Sequence, residues 1–483
     1  MILAARCVGG FSVIAGRLPG VLAYLGTLLA TAALGRRTLG ARAGALGALL
    51  LALSPRLLML ADTASADPQQ LLGITLSMLL LLEAVERGRW RHFVLLGAVA
   101  GLATQMKGLP ALALPAFAAA LWALVVRGWR GFPLRGLLLS ALVAVALAGA
   151  PFVVARLQHG HWDELRQLWH ESVVRATDPF DHVLPWWFYL HDQFVLLSAW
   201  SALLPAALLL AGRRFVRDDG WRARLQSSEP ERRAAFPLFG YVVVMLFFSM
   251  AFSRRSYYLL PIAPFAALLV ADLLLAATGG ATALARRLGL ATLGLCSGLL
   301  ALFTGALGLA RLALASPPAL LAEHLPDVAN VWPVLPPWLV ATGLLVVPAA
   351  ALLAPGLAPR LLLPCVAAAL AVPALLMMGV VIPVRSDLDP LPRFAAAVRA
   401  TVPDGEEIDL ADIHEARLSF YLDPPSTPPS GSARFRIVSE ERARVVLVAE
   451  PGWTRRSNPL LDAAAWPAGA HDGLVLLERS ASP

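Results

Sequence analysis

Apolar and polar positions alternate along this chain in long blocks. Runs of Leu, Ala and Val recur near residues 20–34, 43–60, 70–86, 92–106, 110–127, 137–156, 194–212, 236–252, 258–277, 288–312, 337–354 and 362–382. A helix needs about 20 apolar residues to cross a hydrocarbon core, and the shorter runs extend into their flanks. Lipid offers no partner to an unpaired backbone amide, so each run is predicted to be helical. The pattern is that of an α-helical polytopic membrane protein with about 12 transmembrane helices. In the first three quarters of the chain the longest polar interval is QHGHWDELRQLWHESVVRATDPFDHVLPWWFYLHDQ, residues 158–193. It holds five of the nine histidines: His159, His161, His170, His182 and His191. Glu171 and Arg175 stand four apart, so a helix would put them on one face. Trp186, Trp187, Phe188 and Tyr189 form the aromatic belt expected at a membrane surface.

Composition narrows the class. The chain is 58% apolar and 15% charged, which excludes a soluble globular domain. A net charge of +8 would suggest nucleic acid for a soluble protein. Here the charge sorts by position instead. Arg36, Arg37 and Arg42, then Arg87, Arg89 and Arg91, then Arg127, Arg130 and Arg135, then residues 213–233, then Arg286 and Arg287, then Arg360 fall on every second connection. The positive-inside rule makes that set cytoplasmic. The alternate connections, with the loop 157–193, face outward, and no nucleic-acid partner is implied. Cys7, Cys296 and Cys365 lie in apolar runs and form neither a disulfide framework nor a metal spacing. Residues 1–15 make a poor signal peptide and read as an interfacial helix.

Residues 1–383 thus form the membrane module, and residues 384–483 differ from it. LPRFAAAVRATV has the period of an amphipathic helix. EEIDLADI, LSFYL, FRIVS, RVVLVAE and GLVLLER read as strands between Pro- and Ser-rich turns. The expectation is a small C-terminal α/β extracytoplasmic domain with no assigned chemistry, on the periplasmic side of an inner (plasma) membrane protein.

Two outward positions break the charge rule. Lys107 sits in a tight bend between two runs, and Arg254 and Arg255 head another. Cations held at a membrane surface either serve a site or snorkel to lipid head groups.

Several stretches resemble the GT-C membrane glycosyltransferases, in the branch of the protein O-mannosyltransferases and the lipid A aminoarabinose transferases. GRLPGVLAYLGTLLATAALGRRTLGARAGALGALLLALSP resembles early spans of that family, and LADTASADPQQLLGITLSMLLLLEA the segment where an Asp, here Asp67, opens a span. GLATQMKGLPALALP resembles its Lys-Gly bend, here Lys107. HESVVRATDPFDHVLPWWFYL resembles its outer loop, here Glu171, Arg175, His182, Pro185 and Tyr189. SRRSYYLLPIAPFAALL resembles its Tyr-x-Leu-Pro span start, here Tyr258 and Pro261.

The resemblance implies transfer of a sugar, hexosyl or pentosyl, from a polyprenyl-phosphate donor to a lipid, glycan or protein acceptor at the outer face. Lys107, Arg175, Arg255 and Tyr258 would bind the donor phosphate and stabilise the leaving group. Asp67 and Glu171 are the carboxylates in place for acceptor activation. His182 either ligates a divalent metal with Glu171 or Asp181, or is a hydrogen-bonded loop histidine. The family's expected base is an Asp in a first outer loop. That loop would precede Met1, so the expectation is that residues 1–483 lack the family's first span and base. A transporter or flippase is the rival class. It would show inverted repeats and charges at the bilayer midplane, whereas here the charges gather at span ends. An inactive remnant is a third reading.

Overall fold

The computed structural model describes residues 13–278, except 64, 128–132, 175–176, 178–182 and 217–219. Beyond residue 278 it describes 306, 308–319, 332–334, 374–375, 377–384, 391–403, 406, 408–410, 422, 434–449, 453–457, 461 and 474–479. Chain contacts divide it into two units, residues 17–382 and residues 383–483 with 1–16.

The larger unit opens with α1 (Val13–Thr38), α2 (Ala41–Ala52), α3 (Pro55–Ala61), α4 (Asp67–Arg87), α5 (Trp90–Lys107), α6 (Pro110–Trp122) and α7 (Leu134–His159). It continues with α8 (Asp163–Trp169), α9 (Phe188–Leu197), α10 (Leu204–Val216), α11 (Trp221–Ser227), α12 (Glu229–Met250) and α13 (Ala263–Thr278). Among the described residues five helices are long and apolar enough to cross a membrane: Ile14–Thr38, Asp67–Arg87, Leu134–His159, Glu229–Met250 and Ser256–Thr278. Most or all of the runs at 288–312, 337–354 and 362–382 lies outside the described residues.

Two predicted spans are broken. The run 43–60 bends by 70° between α2 and α3. Pro55 opens α3 and forces Ser54 into extended backbone. The break is then held from outside, because the Trp200 indole N–H donates to Ser54 Oγ at 2.7 Å. The run 194–212 divides into the end of α9, a 3-10 turn at Ser198–Leu203 and α10. Pro205 has no N–H for the Ser201 carbonyl, so the α-helical ladder cannot run through.

Central α13 is buried on nearly every side, with Phe265, Leu268 and Val270 sealed from solvent. Trp122 packs edge-on against Phe236 and Phe239, at 5.2 and 4.7 Å between ring centroids. The arginine-rich connections meet at one end of this unit. Glu83 receives Arg37, Arg87 and Arg233, while Glu86 takes Arg232 through Nε and Nη2 at 2.9 and 2.7 Å. Arg214 reaches Asp272 at 2.8 Å. Buried carboxylates need such partners.

In the smaller unit α14 (Leu391–Thr401) packs Phe394 and Val398 with Phe435, Ile437 and Leu476. The sheet comprises β1 (Ile408–Asp409), β2 (Phe435–Ser439), β3 (Trp453–Arg455) and β4 (Leu474–Arg479), in the order β1-β2-β4-β3. β1 runs parallel to β2, and β4 is antiparallel to β2 and β3. Residues 444–449 of RVVLVAE are helical, not a strand: they lie in α15 (Glu440–Ala449). Ser439 caps that helix by accepting from the Arg442 amide at 3.2 Å, and Ala443 and Val446 face the apolar cluster of Val438, Val475 and Leu477. Three-residue spacing of the buried positions overrides the β-propensity of Val. LSFYL lies outside the described residues except Leu422.

Candidate functional site

Opposite the arginine-rich end, a cavity of about 900 Å³ lies where α5 turns into α6. Its polar lining includes Lys107, Arg255, Tyr257, Tyr258, Glu164 and Glu171, and Phe117, Phe152, Phe247 and Phe248 supply much of the apolar remainder.

The Lys-Gly bend has a local cause. Gly108 sits at φ 89°, a conformation L side chains rarely adopt. A Cβ there would also lie 3.0 Å from Ser172 Oγ and 3.4 Å from Leu168. Only glycine lets the outer segment of α8 and the π turn at His170–Val174 approach the bend. Lys107 is the last residue of α5, where the helix dipole favours a cation. Its ammonium pairs with Asp67, the first residue of α4, and stands 4.0 Å from the centroid of the Tyr257 ring. Asp67 is buried beside the cavity and is absent from its lining.

Arg255 donates from Nη1 to the Tyr257 hydroxyl at 2.6 Å. Tyr258 packs edge-on against Tyr257 at 5.1 Å and stacks near Phe248 at 6.5 Å. Both tyrosines lie on the 3-10 turn at Ser256–Ile262, and both line the cavity. Sequence reasoning named Tyr258 and missed Tyr257. The Tyr-Tyr doublet was the available signal, and both of its residues line the cavity.

A clamp fixes the segment carrying Arg255. Val183 and Ser253 form an isolated antiparallel bridge. Arg254 is buried and donates to three carbonyls: Leu184, Phe252 at 3.3 Å and Ser249 at 2.9 Å. It thereby satisfies the C-terminus of α12 and ties it to the outer loop. The Tyr189 hydroxyl donates to the Arg255 carbonyl at 3.3 Å, and buried Asp192 meets the Ser256 hydroxyl. Two adjacent arginines thus do different work: Arg254 holds backbone while Arg255 lines the cavity.

α8 faces two ways. Glu164, Gln167 and Leu168 line the cavity, and Glu171 and Ser172 continue that lining through the π turn. Trp162, Leu165 and Trp169 are exposed, as in a helix lying at an interface. Behind the site, Pro151 deprives the Leu147 carbonyl of its helical donor, and Gln105 Nε2 reaches it at 3.3 Å and the Ala148 carbonyl at 2.7 Å.

Of the residues singled out from sequence, Lys107, Glu171, Arg255 and Tyr258 line the one cavity. Arg175 and His182 lie outside the described residues, so the shared face of Glu171 and Arg175 does too. Among the described residues no three of His, Cys, Asp and Glu gather as metal ligands. His161 contacts exposed Asp163 at 3.1 Å, the arrangement of a solvated loop.

Residues 1–154 match the dolichyl-phosphate-mannose-protein mannosyltransferase family. The undecaprenyl phosphate-alpha-4-amino-4-deoxy-L-arabinose arabinosyl transferase of Edwardsiella ictaluri is 33% identical over 188 residues, 38% of this chain and 31% of that protein. A second such transferase, from Sodalis glossinidius, is 32% identical over 261 residues, 53% of this chain and 44% of that protein. The matched part spans less than half the length of either relative. The crystal structure of ArnT from Cupriavidus metallidurans bound to undecaprenyl phosphate superposes with a TM-score of 0.67 and 18% identity. The superposition covers 97% of this chain and 84% of that one. The fold is that of ArnT. The resemblance to GT-C glycosyltransferases of the mannosyltransferase and aminoarabinose-transferase type, read from five short stretches, is upheld by sequence and by fold.

Proposed function

We propose that this chain transfers a sugar, a pentose by analogy with its relatives, from an undecaprenyl-phosphate-type donor to an acceptor hydroxyl or amine at the outer membrane face. The observation that carries the proposal is the cavity in which Lys107, Arg255 and Tyr257 converge, with Glu164 and Glu171 also in its lining and aromatic side chains between. The cationic side suits a phosphodiester, and the apolar lining suits the start of a prenyl chain.

In the reaction an acceptor O–H or N–H attacks the anomeric carbon. The bond from that carbon to the phosphate oxygen breaks. Glu171 takes the acceptor proton, and the phosphate monoester leaves with its new charge offset by Lys107 and Arg255. Removal from water strengthens those contacts. Asp67 orients Lys107 and lowers the cost of its burial. Arg175 extends the cationic side by resemblance. By the same resemblance a divalent metal would rest on His182 with Asp181 or Glu171, and no step is assigned to it. The arginine-rich end is cytoplasmic in this reading, and residues 384–483 are periplasmic.

The test is transfer by the purified chain in liposomes containing undecaprenyl-phosphate-linked radiolabelled pentose and a lipid acceptor extract. Label appearing in the acceptor with release of undecaprenyl phosphate supports the proposal. Movement of intact donor between leaflets without cleavage would favour the flippase.

A further inference from the structure

At the arginine-rich end, far along α5 from Lys107, a second cavity opens between the start of α5 and the start of α7. Its volume is about 660 Å³, and Gly88, Trp90, Phe93, Leu134, Arg135 and Leu139 line it. The cleft exists because the two helices cross closely further on. Cβ atoms at Gly97 and Gly101 would come within 2.3 and 2.6 Å of the Ser140 and Ala144 carbonyl oxygens, so the backbones touch there. Toward their starts the Phe93 ring lies over Gly136, where an added Cβ would sit 2.5 Å from it, and the helices are wedged apart.

The lining is chemically two-sided. Phe93 and Leu139 give an apolar floor. Trp90 is 67% exposed, as an indole at a membrane surface would be. Along α7, Leu134, Leu138, Leu142, Val145 and Val153 are exposed, so the cleft adjoins a bare apolar flank. Arg135 is in the lining, and Arg89 and Arg91 flank the lining residue Trp90 in sequence; all three arginines are exposed. Arg87 is bound to Glu83, but among the described residues no carboxylate pairs with these three.

We propose that this cleft seats an anionic phospholipid of the leaflet on the arginine-rich side. Arg135, with Arg89 and Arg91, holds its phosphate, and an acyl chain lies against Phe93 and Leu139. Basic pockets between membrane helices recognise such head groups. The site is separate from the donor cavity and stands whether or not the transferase reading holds.

Native mass spectrometry of the full chain, titrated with phosphatidylglycerol or phosphatidylcholine, tests it. Wild type should bind its first phosphatidylglycerol more tightly than phosphatidylcholine. Arg135→Gln should weaken that event about fivefold, the weight of one arginine at an anionic surface. Leu139→Trp fills the cleft without touching charge and should weaken it as well. Arg42→Gln removes an exposed arginine on another connection and should leave it unchanged. If Arg42→Gln and Arg135→Gln act alike while Leu139→Trp has no effect, the lipid senses only diffuse charge and the proposal fails. It also fails if wild type shows no preference for the anionic lipid. Should Arg135→Gln not fold, Leu139→Trp against Arg42→Gln decides.

Discussion

The Lys107 ammonium stands 4.0 Å from the centre of the Tyr257 ring, whose hydroxyl accepts from Arg255 at 2.6 Å. One tyrosine therefore organises both cations of the candidate donor site. Tyr257→Phe keeps the ring and removes the acceptor for Arg255, while Tyr257→Ala removes both. A cation–π contact of about 0.5–2 kcal/mol corresponds to a loss of about 2- to 30-fold in donor affinity for the alanine variant. The phenylalanine variant should lose less. Donor titration by tryptophan quenching or calorimetry separates them, and equal losses would remove the ring from the account.

Lys107→Ala should abolish transfer, because the departing phosphate loses its nearest cation. Lys107→Arg should retain part of it, since charge survives and the compact geometry does not. Asp67→Asn leaves the half-buried Lys107 without its carboxylate, and the loss should fall below the roughly 3–5 kcal/mol of breaking a fully buried pair. That variant should show a lowered melting temperature as well as reduced turnover.

Glu171→Gln should lower kcat by about 10²- to 10⁴-fold, the usual contribution of a positioned proton acceptor, with the KM for donor little changed. Glu164→Gln should have the smaller effect, because Glu164 lies a turn or more earlier, on α8. Steady-state kinetics on both variants ranks the two carboxylates. A larger loss from Glu164→Gln would reassign the base.

Arg254→Gln should destabilise the outer segment without altering any group that lines the cavity. Three carbonyls, on Leu184, Ser249 and Phe252, lose a charged donor. At about 1–3 kcal/mol for each buried acceptor left unsatisfied, the melting temperature should fall by several degrees. Proteolysis should then begin within residues 183–193. A variant as stable as wild type with lost donor binding would instead make Arg254 a substrate contact.

Alkaline phosphatase fused after residue 383 should be active, and fused at residue 222 inactive, if the arginine-rich end is cytoplasmic. The reverse pattern would move the whole candidate site to the other face of the membrane.

Hydropathy alone placed apolar helices within residues 13–278, because apolar length is a local property and lipid leaves the backbone no alternative, though among the described residues five of them are long and apolar enough to span. The arginine alternation likewise foretold which connections share an end, where Glu83 and Glu86 now gather Arg37, Arg87, Arg232 and Arg233. Lys107 and Arg255 could be marked because each violates that alternation. Tertiary structure decided what they touch. Asp67 is 40 residues from Lys107, and no periodicity encodes a pair that forms only when α4 and α5 lie side by side. The bend at Ser54 starts with Pro55, but what holds it, Trp200, is 146 residues away. That Tyr257 joins Tyr258 in the cavity is visible only in the fold, and separating the work of Arg254 from that of Arg255 required the carbonyls of Leu184, Ser249 and Phe252. The segment 444–449 reads as a strand from its valines and is a helix because its buried positions fall three apart against a neighbouring sheet. Local pattern fixes which residues leave water. Non-local packing fixes which of them meet, because its contacts join segments that the order of the chain keeps apart.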